Sequence, residues 1–238
     1  MRIGVNTLFL IPGEVGGSET YLCQTLAAIA QNHADVGLVL FTNRENHPLL
    51  KERFGGFGQV EFVNLGFAAS NRYSRIMREQ AQLPRLVRKS GVDVLWSPGY
   101  TAPFCSACPQ VVTILDMQYK SHPEDMTLLA RITTDILVQS AARKCRRIIA
   151  ISEFSKQEIV RFTGADPGLI DVTYLAASNA FSGRVADSAR KSLLDKLVPG
   201  GGKYILCVAN SYPHKNIPAL VEAFGTLQGE IPHKLVIV

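Results

Sequence analysis

Short apolar runs alternate with longer segments of helical periodicity along most of the sequence, and this alternation constrains the fold more than any other feature. The first run, Ile3–Leu10, precedes a segment in which Leu22, Leu26 and Ile29 recur at helical spacing. A regular β-then-α alternation predicts a mainly parallel sheet whose connecting helices cover both faces. The chain is therefore predicted to be an α/β protein, and such sheets bind ligands at the carboxyl ends of their strands.

Further apolar runs extend this alternation. They predict strands at Asp35–Thr42, Val60–Leu65, Val92–Trp96, Val111–Leu115, Arg147–Ile151 and Ile170–Tyr174. A long helix is predicted over residues 126–144, and Ser155 with Glu158 fits a capping box that would begin the next helix.

The sequence changes character after residue 176. Small and polar residues surround one amphipathic helix predicted at Asp187–Leu197, before a triple-glycine turn that ends at Gly202. A second β-α-β unit follows, with apolar strands predicted at Tyr204–Ala209 and Lys234–Val238 and a helix between them.

These patterns divide the chain into two predicted domains. The first Rossmann-like domain covers residues 1–178, a linker with a short helix covers 179–201, and a second Rossmann-like domain occupies 202–238. One β-α-β unit cannot bury both faces of a sheet, so we interpret the second domain as incomplete.

A basic stretch at residues 72–89 contributes to the net charge of +5. It carries one acid, Glu79, among the basic residues Arg72, Arg75, Arg78, Arg85, Arg88 and Lys89. The stretch is either a solvated helix face or a surface for anionic lipid headgroups or a pyrophosphate-bearing acceptor. Aromatic residues are not interleaved with it as stacking platforms, which disfavours nucleic acid as a partner.

Neither a membrane span nor a metal site is predicted. No apolar run approaches the roughly 18–20 residues that span a bilayer, and the N-terminus is interpreted as a buried strand rather than a signal peptide. We therefore expect a cytoplasmic protein. Cys105 and Cys108 form a C-x-x-C motif without a second pair or suitably spaced histidines, so the cysteines are predicted to be reduced thiols.

Two loops carry the first candidate binding residues. Gly16, Gly17, Ser18 and Glu19 precede the first helix, whose N-terminal N–H groups could bind phosphate or sugar oxygens. The spacing matches neither the dinucleotide fingerprint nor a P-loop, and a plain helix start capped by Ser18 is the alternative. Lys215, before the last helix, could bind a diphosphate or could be an ordinary surface lysine.

Asp116 is the candidate catalytic residue because it follows a buried strand, where a carboxylate can bind substrate hydroxyls. A turn-forming aspartate is the alternative. The nearby His122-Pro-Glu124 segment is interpreted on its own as a solvated loop.

Taken together, several co-linear segments resemble glycosyltransferase family 4, whose members have the GT-B fold of two facing Rossmann-like domains. The segments are Gly16–Glu19, Asp93–Pro98, Val111–Asp116, Gln118 with His122–Glu124, Ile149–Ser155, Val172–Leu175, Tyr204–Leu206 and Pro213–Phe224. These segments are most similar to those of the mannosyltransferase-like branch, which includes enzymes of lipopolysaccharide and polysaccharide biosynthesis.

The resemblance implies roles for individual residues. Gly16 and Gly17 would lie near the donor diphosphate, and Lys215 matches the family's phosphate-binding lysine, whereas Asn210 stands where an arginine is usual. Asp116 matches the family's aspartate, and Leu115 replaces the histidine that usually precedes it. Ser18, Glu19 and Ser152 are the candidates for the acceptor cleft.

The implied reaction is retaining, metal-independent transfer of a sugar from a nucleotide-sugar to a glycan or lipid-linked acceptor. The donor, GDP-mannose or a UDP-sugar, is a substrate, and no cofactor is expected. Contact with the inner face of the membrane would fit the basic stretch. Because the family's paired glutamates do not occur in these residues, we expect the 238-residue chain to turn over weakly or not at all.

Three alternatives remain. A non-catalytic or split half of the same fold could bind a sugar or a partner protein. A GT-B-like epimerase is the second alternative, and a nicotinamide-dependent enzyme is the third, although its glycine fingerprint is missing.

Overall fold

A computed structural model describes residues 1–123, 126–177, 186–209 and 213–238. The chain folds as two compact units, Met1–Ala176 and Ala177–Val238, which are called unit 1 and unit 2 below. The boundary predicted at residue 178 and the first part of the predicted linker lie outside the described residues. No helix in the described ranges combines the length and the apolar character needed to cross a bilayer.

Unit 1 is built on a sheet of seven parallel strands in the spatial order β3-β2-β1-β4-β5-β6-β7. The strands are β1 (Arg2–Asn6), β2 (Gly37–Thr42), β3 (Val60–Asn64), β4 (Val94–Ser97), β5 (Gln110–Thr113), β6 (Arg147–Ala150) and β7 (Ile170–Val172). The predicted α/β fold with a parallel sheet is confirmed.

Seven helices connect these strands in the described part of unit 1. They are α1 (Gly17–Asn32), α2 (His47–Phe54), α3 (Arg72–Met77), α4 (Leu83–Ser90), α5 (Gln118–Ser121), α6 (Leu128–Lys144) and α7 (Glu153–Thr163). A π-helical turn, Arg78–Gln82, joins α3 to α4. The basic stretch is therefore helical throughout, as its spacing indicates.

Both faces of the sheet are covered, and β2 shows this most directly. Leu38 and Leu40 belong to the core cluster under α1 and α2, whereas Val39 and Phe41 belong to the cluster under α4. Successive strand residues point to opposite faces, so a continuous apolar run is what a strand buried on both sides requires. A third cluster packs α6 and α7 against β5 and β6.

A pair of buried asparagines fixes the loop after β1. The backbone N–H of Asn43 donates to the side chain of Asn46 at 3.0 Å, and the N–H of Asn46 donates to that of Asn43 at 2.8 Å. The two side-chain amides donate in turn to the backbone carbonyls of Thr7, Leu8 and Leu10. Because these buried polar groups satisfy one another, the loop is held against the end of β1.

Unit 2 contains the helix α8 (Asp187–Leu197) and a β-α-β unit. In the latter, β8 (Lys203–Cys207) and β9 (His233–Ile237) are parallel, and α9 (Ile217–Thr226) lies between them in the chain. A 3₁₀ turn, Pro213–Lys215, precedes α9. These elements lie close to the ranges predicted for them.

Two predicted helix starts are wrong. Helix α7 begins at Glu153, and Ser152 is its cap, with the Ser152 hydroxyl accepting the Ser155 N–H at 3.0 Å. The predicted cap, Ser155, lies inside the helix because its hydroxyl donates to the Leu115 carbonyl at 2.8 Å instead. In the same way α1 begins one residue before Ser18 and takes Gly16 as its cap residue.

Candidate functional site

A cavity of about 340 Å³ opens in unit 1 at the carboxyl ends of the central strands. Its walls come from the loops after β1, β4 and β5, from the start of α1, and from α3 and α6. The strand order proceeds from β1 outward through β2 to β3, and then continues from β4 outward on the other side of β1. The order therefore reverses between the neighbours β1 and β4. Open parallel sheets bind ligands at such a switch point, and the volume is within the range of small-molecule sites.

Asp116 lines this cavity, and both of its carboxylate oxygens are partly engaged. Oδ2 accepts a hydrogen bond from the Tyr100 hydroxyl at 2.8 Å, and Oδ1 accepts the backbone N–H of Gln118 at 3.0 Å. A carboxylate has about four lone-pair positions, so these two bonds fix its orientation while leaving capacity for a substrate hydroxyl. The turn role and the binding role proposed for this aspartate are compatible.

Tyr100 reaches Asp116 from an unusual backbone conformation. Its φ is +68°, in a region that few non-glycine residues adopt. The preceding Gly99 packs so closely on Phe9 that an added Cβ would lie 2.3 Å from a ring carbon. Burial, and then the charge and hydrogen bond of Asp116, raise the pKa of the Tyr100 hydroxyl, which therefore remains a donor.

The wall formed by α3 and the following π-helical turn carries two arginines and one carboxylate. Arg72 donates through Nη2 to the Thr134 hydroxyl at 2.7 Å and to the Ala130 carbonyl at 3.2 Å. Glu79 is buried and accepts the Thr101 hydroxyl at 2.9 Å. Burial raises the pKa of the Glu79 carboxyl, against the opposing effects of Thr101 and the Arg75 charge.

Ser18 also lines the cavity, and the glycine-rich loop stands beside it. Gly16 has φ +53° and ψ −125°, a conformation open to glycine. Within the described ranges, the backbone N–H groups of Gly16 and Gly17 donate to no acceptor. Glu19, expected in the acceptor cleft, instead accepts the Gly13 N–H at 2.8 Å and closes the loop.

Two other predicted positions lie apart from the cavity lining. Ser152 is occupied as the cap of α7, and Leu115, which stands where the family usually has histidine, is buried. His122, by contrast, was interpreted as part of a solvated loop and lines the cavity. Glu124 lies outside the described residues.

The donor-phosphate candidates of unit 2 are only partly described. Lys215 is exposed in the 3₁₀ turn just before α9. Asn210 lies outside the described residues.

The sequence placed Arg72 and Arg75 on a candidate anion-binding surface but not in a cavity, and it gave no role to Glu79 or Tyr100. The single acid inside a basic stretch was the available signal for the α3 wall, since an isolated Glu79 among arginines suggests an internal partner. Nothing in the sequence marks Tyr100, because its role depends on a left-handed backbone and on the distant Asp116.

The described residues contain no cluster of three His, Cys, Asp or Glu side chains placed to hold a metal ion. The cysteines are all free thiols, of which Cys23 and Cys145 are buried.

The fold and its cavity define a class of α/β proteins in which helices cover a parallel sheet and the ligand site lies at the switch point. A sequence comparison identifies the family within this class. The model of Glycosyltransferase Family 4 matches residues 15–176, and the chain belongs to this family. No curated protein sequence matches the chain.

Solved structures share the fold at low sequence identity. HepE of Anabaena in complex with UDP-glucose is 19% identical with a TM-score of 0.65, and 100% of this chain covers 60% of HepE. The lipopolysaccharide outer core galactosyltransferase WaaB is 14% identical with a TM-score of 0.53, and 100% of this chain covers 68% of it. UDP-GlcNAc 2-epimerase from Neisseria meningitidis is 12% identical with a TM-score of 0.56, and 100% of this chain covers 65% of it.

These likenesses confirm the GT-B, Rossmann-like assignment for the part of the fold that the chain spans, which is about 60% of the length of HepE. Identities this low establish the fold alone.

Proposed function

We propose that this chain belongs to a glycosyltransferase that moves a sugar from a nucleotide-sugar to a glycan or lipid-linked acceptor, with unit 1 as its acceptor-side domain and the β-α-β unit of unit 2 as part of its donor-binding domain. The observation that carries the proposal is the cavity at the switch point of a Glycosyltransferase Family 4 sheet, with Asp116 held in its wall. The nucleotide-sugar is a substrate, and the proposal includes no resident cofactor.

The proposed donor is a nucleoside diphosphate sugar. HepE, which shares the fold, has been solved with UDP-glucose, which supports a UDP-sugar. GDP-mannose is the alternative and depends on the resemblance to the mannosyltransferase-like branch. Within the described ranges the N–H groups of Gly16 and Gly17 have no acceptor, which suits them to phosphate oxygens. Lys215, in unit 2, supplies a positive charge just before α9. Asn210 can contribute hydrogen bonds but no charge.

In the proposed reaction the acceptor hydroxyl oxygen bonds to the anomeric carbon on the face that the diphosphate leaves, so configuration is retained. The bond from that carbon to the β-phosphate oxygen breaks, and the hydroxyl proton passes to the departing phosphate. The role proposed for Lys215 is to stabilise the negative charge that develops there, as preorganised donors do in other transfer reactions. Asp116 orients the acceptor hydroxyl by accepting its hydrogen bond.

Peripheral contact with the cytoplasmic face of an anionic membrane is part of the proposal. Tyr73 and Met77 are exposed on α3, one turn apart. Leu129, Ile132 and Ile136 are exposed on α6. Apolar side chains among arginines suit a negatively charged lipid surface. Sedimentation with phosphatidylglycerol vesicles should fall when Ile132 and Ile136 are replaced by serine, and binding that is unchanged by both replacements would overturn this contact.

A non-catalytic module of the same fold is the second candidate. Two observations favour it: Leu115 is buried where the family usually has a histidine, and Asn210 replaces the usual arginine. Such a module would bind a sugar or a partner protein without transferring anything.

A panel of UDP-, GDP- and dTDP-sugars tests the proposal on the full-length gene product. Ligand-detected NMR should show binding of one donor, and Lys215→Met should weaken it at least about tenfold, which corresponds to the 1.4 kcal/mol of one good charge contact. Lys234→Met, on a strand of the same unit, is the matched control. A protein that binds no donor but retains a partner protein would support the non-catalytic module instead.

A further inference from the structure

The α3 wall of the cavity holds more positive charge than its neighbours in the described part of the chain neutralise. Arg72 and Arg75 are three residues apart and so lie on one face of the helix, and both line the cavity. Arg72 is held in place by its hydrogen bonds to Thr134 and Ala130 on α6. No carboxylate of the described residues lies within ion-pair distance of it.

Arg75 is partly buried and has unused hydrogen-bond donors. Among the described residues it makes no hydrogen bond and no ion pair within 4.0 Å. Burial lowers the pKa of its guanidinium, the Glu79 charge raises it, and the Arg72 charge lowers it. Arginine nevertheless stays protonated in proteins. A charged group with unused donors costs free energy when water is partly excluded, so this side chain is poised for an anionic ligand.

Among the described residues, the one carboxylate that interacts with Arg75 does not remove this charge. Glu79 is a buried lining residue bonded to Thr101, and its charge interacts with Arg75, which also feels the Arg72 charge. The other carboxylate of the cavity, Asp116, is engaged with Tyr100 and the Gln118 N–H. The cavity therefore has a cationic wall at α3 and a hydroxyl-binding carboxylate elsewhere in its lining.

We propose that Arg75, with Arg72 as its fixed neighbour, binds a phosphate group of the acceptor, and that the acceptor is therefore a phosphorylated molecule. This proposal rests on the proposed function and deepens it. A guanidinium presents its donors in a planar fork that matches phosphate oxygens. An acceptor with its phosphate at α3 would place a hydroxyl within the same cavity as Asp116.

Two sources could supply this phosphate, a lipid-linked acceptor or a soluble sugar phosphate. Tyr73 and Met77, exposed on the same short helix, favour the lipid. Binding to vesicles with and without a polyprenyl phosphate distinguishes the two sources.

Calorimetric titration of the full chain with inorganic pyrophosphate, at ionic strength held constant with sodium chloride, tests the subsite. Arg75→Gln should weaken pyrophosphate binding at least about tenfold, as expected for loss of one charge-assisted contact. Arg78→Gln is the matched control, because Arg78 is exposed on the same stretch and donates to Gln82. Equal binding by the two variants would overturn the proposal.

Two further variants keep the test decisive. Arg75→Gln combined with Glu79→Gln avoids an uncompensated buried carboxylate, and its thermal unfolding reports whether the fold is intact. Lys215→Gln removes the donor-phosphate candidate. Pyrophosphate binding that survives Lys215→Gln but not the double substitution supports the subsite, whereas loss with Lys215→Gln alone assigns the anion to the donor loop and overturns it.

The source of the phosphate follows from vesicle binding. Preference for vesicles that carry a polyprenyl phosphate over plain phosphatidylcholine, lost in Arg75→Gln, identifies a lipid-linked acceptor. Arg75-dependent pyrophosphate binding without that preference identifies a soluble phosphorylated acceptor. If no nucleotide-sugar binds while the Arg75 dependence persists, the glycosyltransferase proposal fails and the phosphate subsite stands.

Discussion

Strands β2 and β8 have similar apolar sequences but opposite environments. In unit 1, β2 reads GLVLFT and is buried along nearly its whole length. In unit 2, β8 reads KYILC, and its first four residues are exposed. The difference arises from the neighbours: β2 has a strand on each side and helices on both faces, whereas β8 pairs with β9 alone.

This contrast shows that an apolar strand stabilises a fold only to the extent that other elements cover it. Burial contributes about 25 cal/mol per Å² of apolar surface, and unit 2 buries few of its apolar side chains, Val198 and Val236 among them. Small two-stranded units are marginally stable on their own. We expect unit 1 to hold a preformed cavity and unit 2 to depend on further surface that covers β8 and α9.

The largest expected effect is on thiol reactivity. Cys145 in unit 1 is buried, and burial raises the pKa of its thiol to about 12, whereas Cys207 on β8 is partly exposed. Because the thiolate is the reactive form and Cys145 is also shielded from the reagent, Cys207 should react much faster with a disulfide reagent in the folded chain. A variant with Cys105 and Cys108 replaced by serine removes the loop thiols. Similar reaction rates at Cys145 and Cys207 would contradict the difference in burial between the two units.

The next effect compares two leucines. Leu40 on β2 is 0% exposed and Leu206 on β8 is 53% exposed. Leu40→Ala should lower the free energy of unfolding by about 2–5 kcal/mol, as cavity-forming changes do. Leu206→Ala should change it by no more than about 0.5 kcal/mol. Urea unfolding measures both, and equal losses would contradict the contrast between the units.

A smaller loss is expected at the asparagine pair. Asn46→Ala removes its two bonds to the Thr7 and Leu10 carbonyls and leaves the buried Asn43 N–H without its acceptor, which costs about 1–3 kcal/mol. Asn32→Ala, which removes an exposed bond to the Ala28 carbonyl, is the control. Unfolding in urea should separate the two variants, and an equal loss would show that the loop after β1 does not depend on the pair.

The smallest effect concerns ion pairs, all of which lie in unit 1 within the described ranges. Burial raises the pKa of the Asp135 carboxyl, but hydrogen bonds from Lys120 and Tyr119 outweigh it and hold the pKa below the ordinary 3.8. The pair therefore stabilises the fold above pH 4, and this contribution is lost as the pH falls through the lowered pKa.

Lys120→Met should accordingly reduce stability at neutral pH and lose its effect in acid. Unfolding in urea at a series of pH values measures the difference between the two proteins. A difference that grows below pH 4 would contradict the lowered pKa of Asp135.

The periodicity of the sequence predicts most of the strands and helices, but it predicts only some of the residues that line the cavity. Apolar runs and turn residues located the strands because a strand buried on both faces must be continuously apolar, as β2 is. Ser152 rather than Ser155 caps α7, since the Ser155 hydroxyl is drawn to the Leu115 carbonyl, a contact between residues 40 positions apart. Long-range contacts of this kind are invisible to local patterns.

Some cavity residues are marked by local sequence features, and others are placed by long-range contacts. Asp116 could be predicted because a strand end is a local feature. The positions of Arg75 and Tyr100 in the cavity could not be predicted. Arg75 lies there because α3 packs near α6, where Arg72 donates to Thr134. Tyr100 lies there because its backbone is left-handed.

The transfer rate of the Asp116→Asn variant tests the central claim most directly, namely that the cavity in unit 1 receives the acceptor. Asparagine keeps one oxygen to accept the Gln118 N–H, and its NH₂ group can donate to the Tyr100 hydroxyl, so the fold should be retained while the carboxylate charge is lost. Asp171→Asn, which disrupts the exposed pair with Arg147, is the matched control. With the full-length protein and its best nucleotide-sugar, Asp116→Asn should lower kcat by about a hundredfold through misplacement of the acceptor hydroxyl, and Asp171→Asn should leave it unchanged. Equal rates for the two variants would contradict the account.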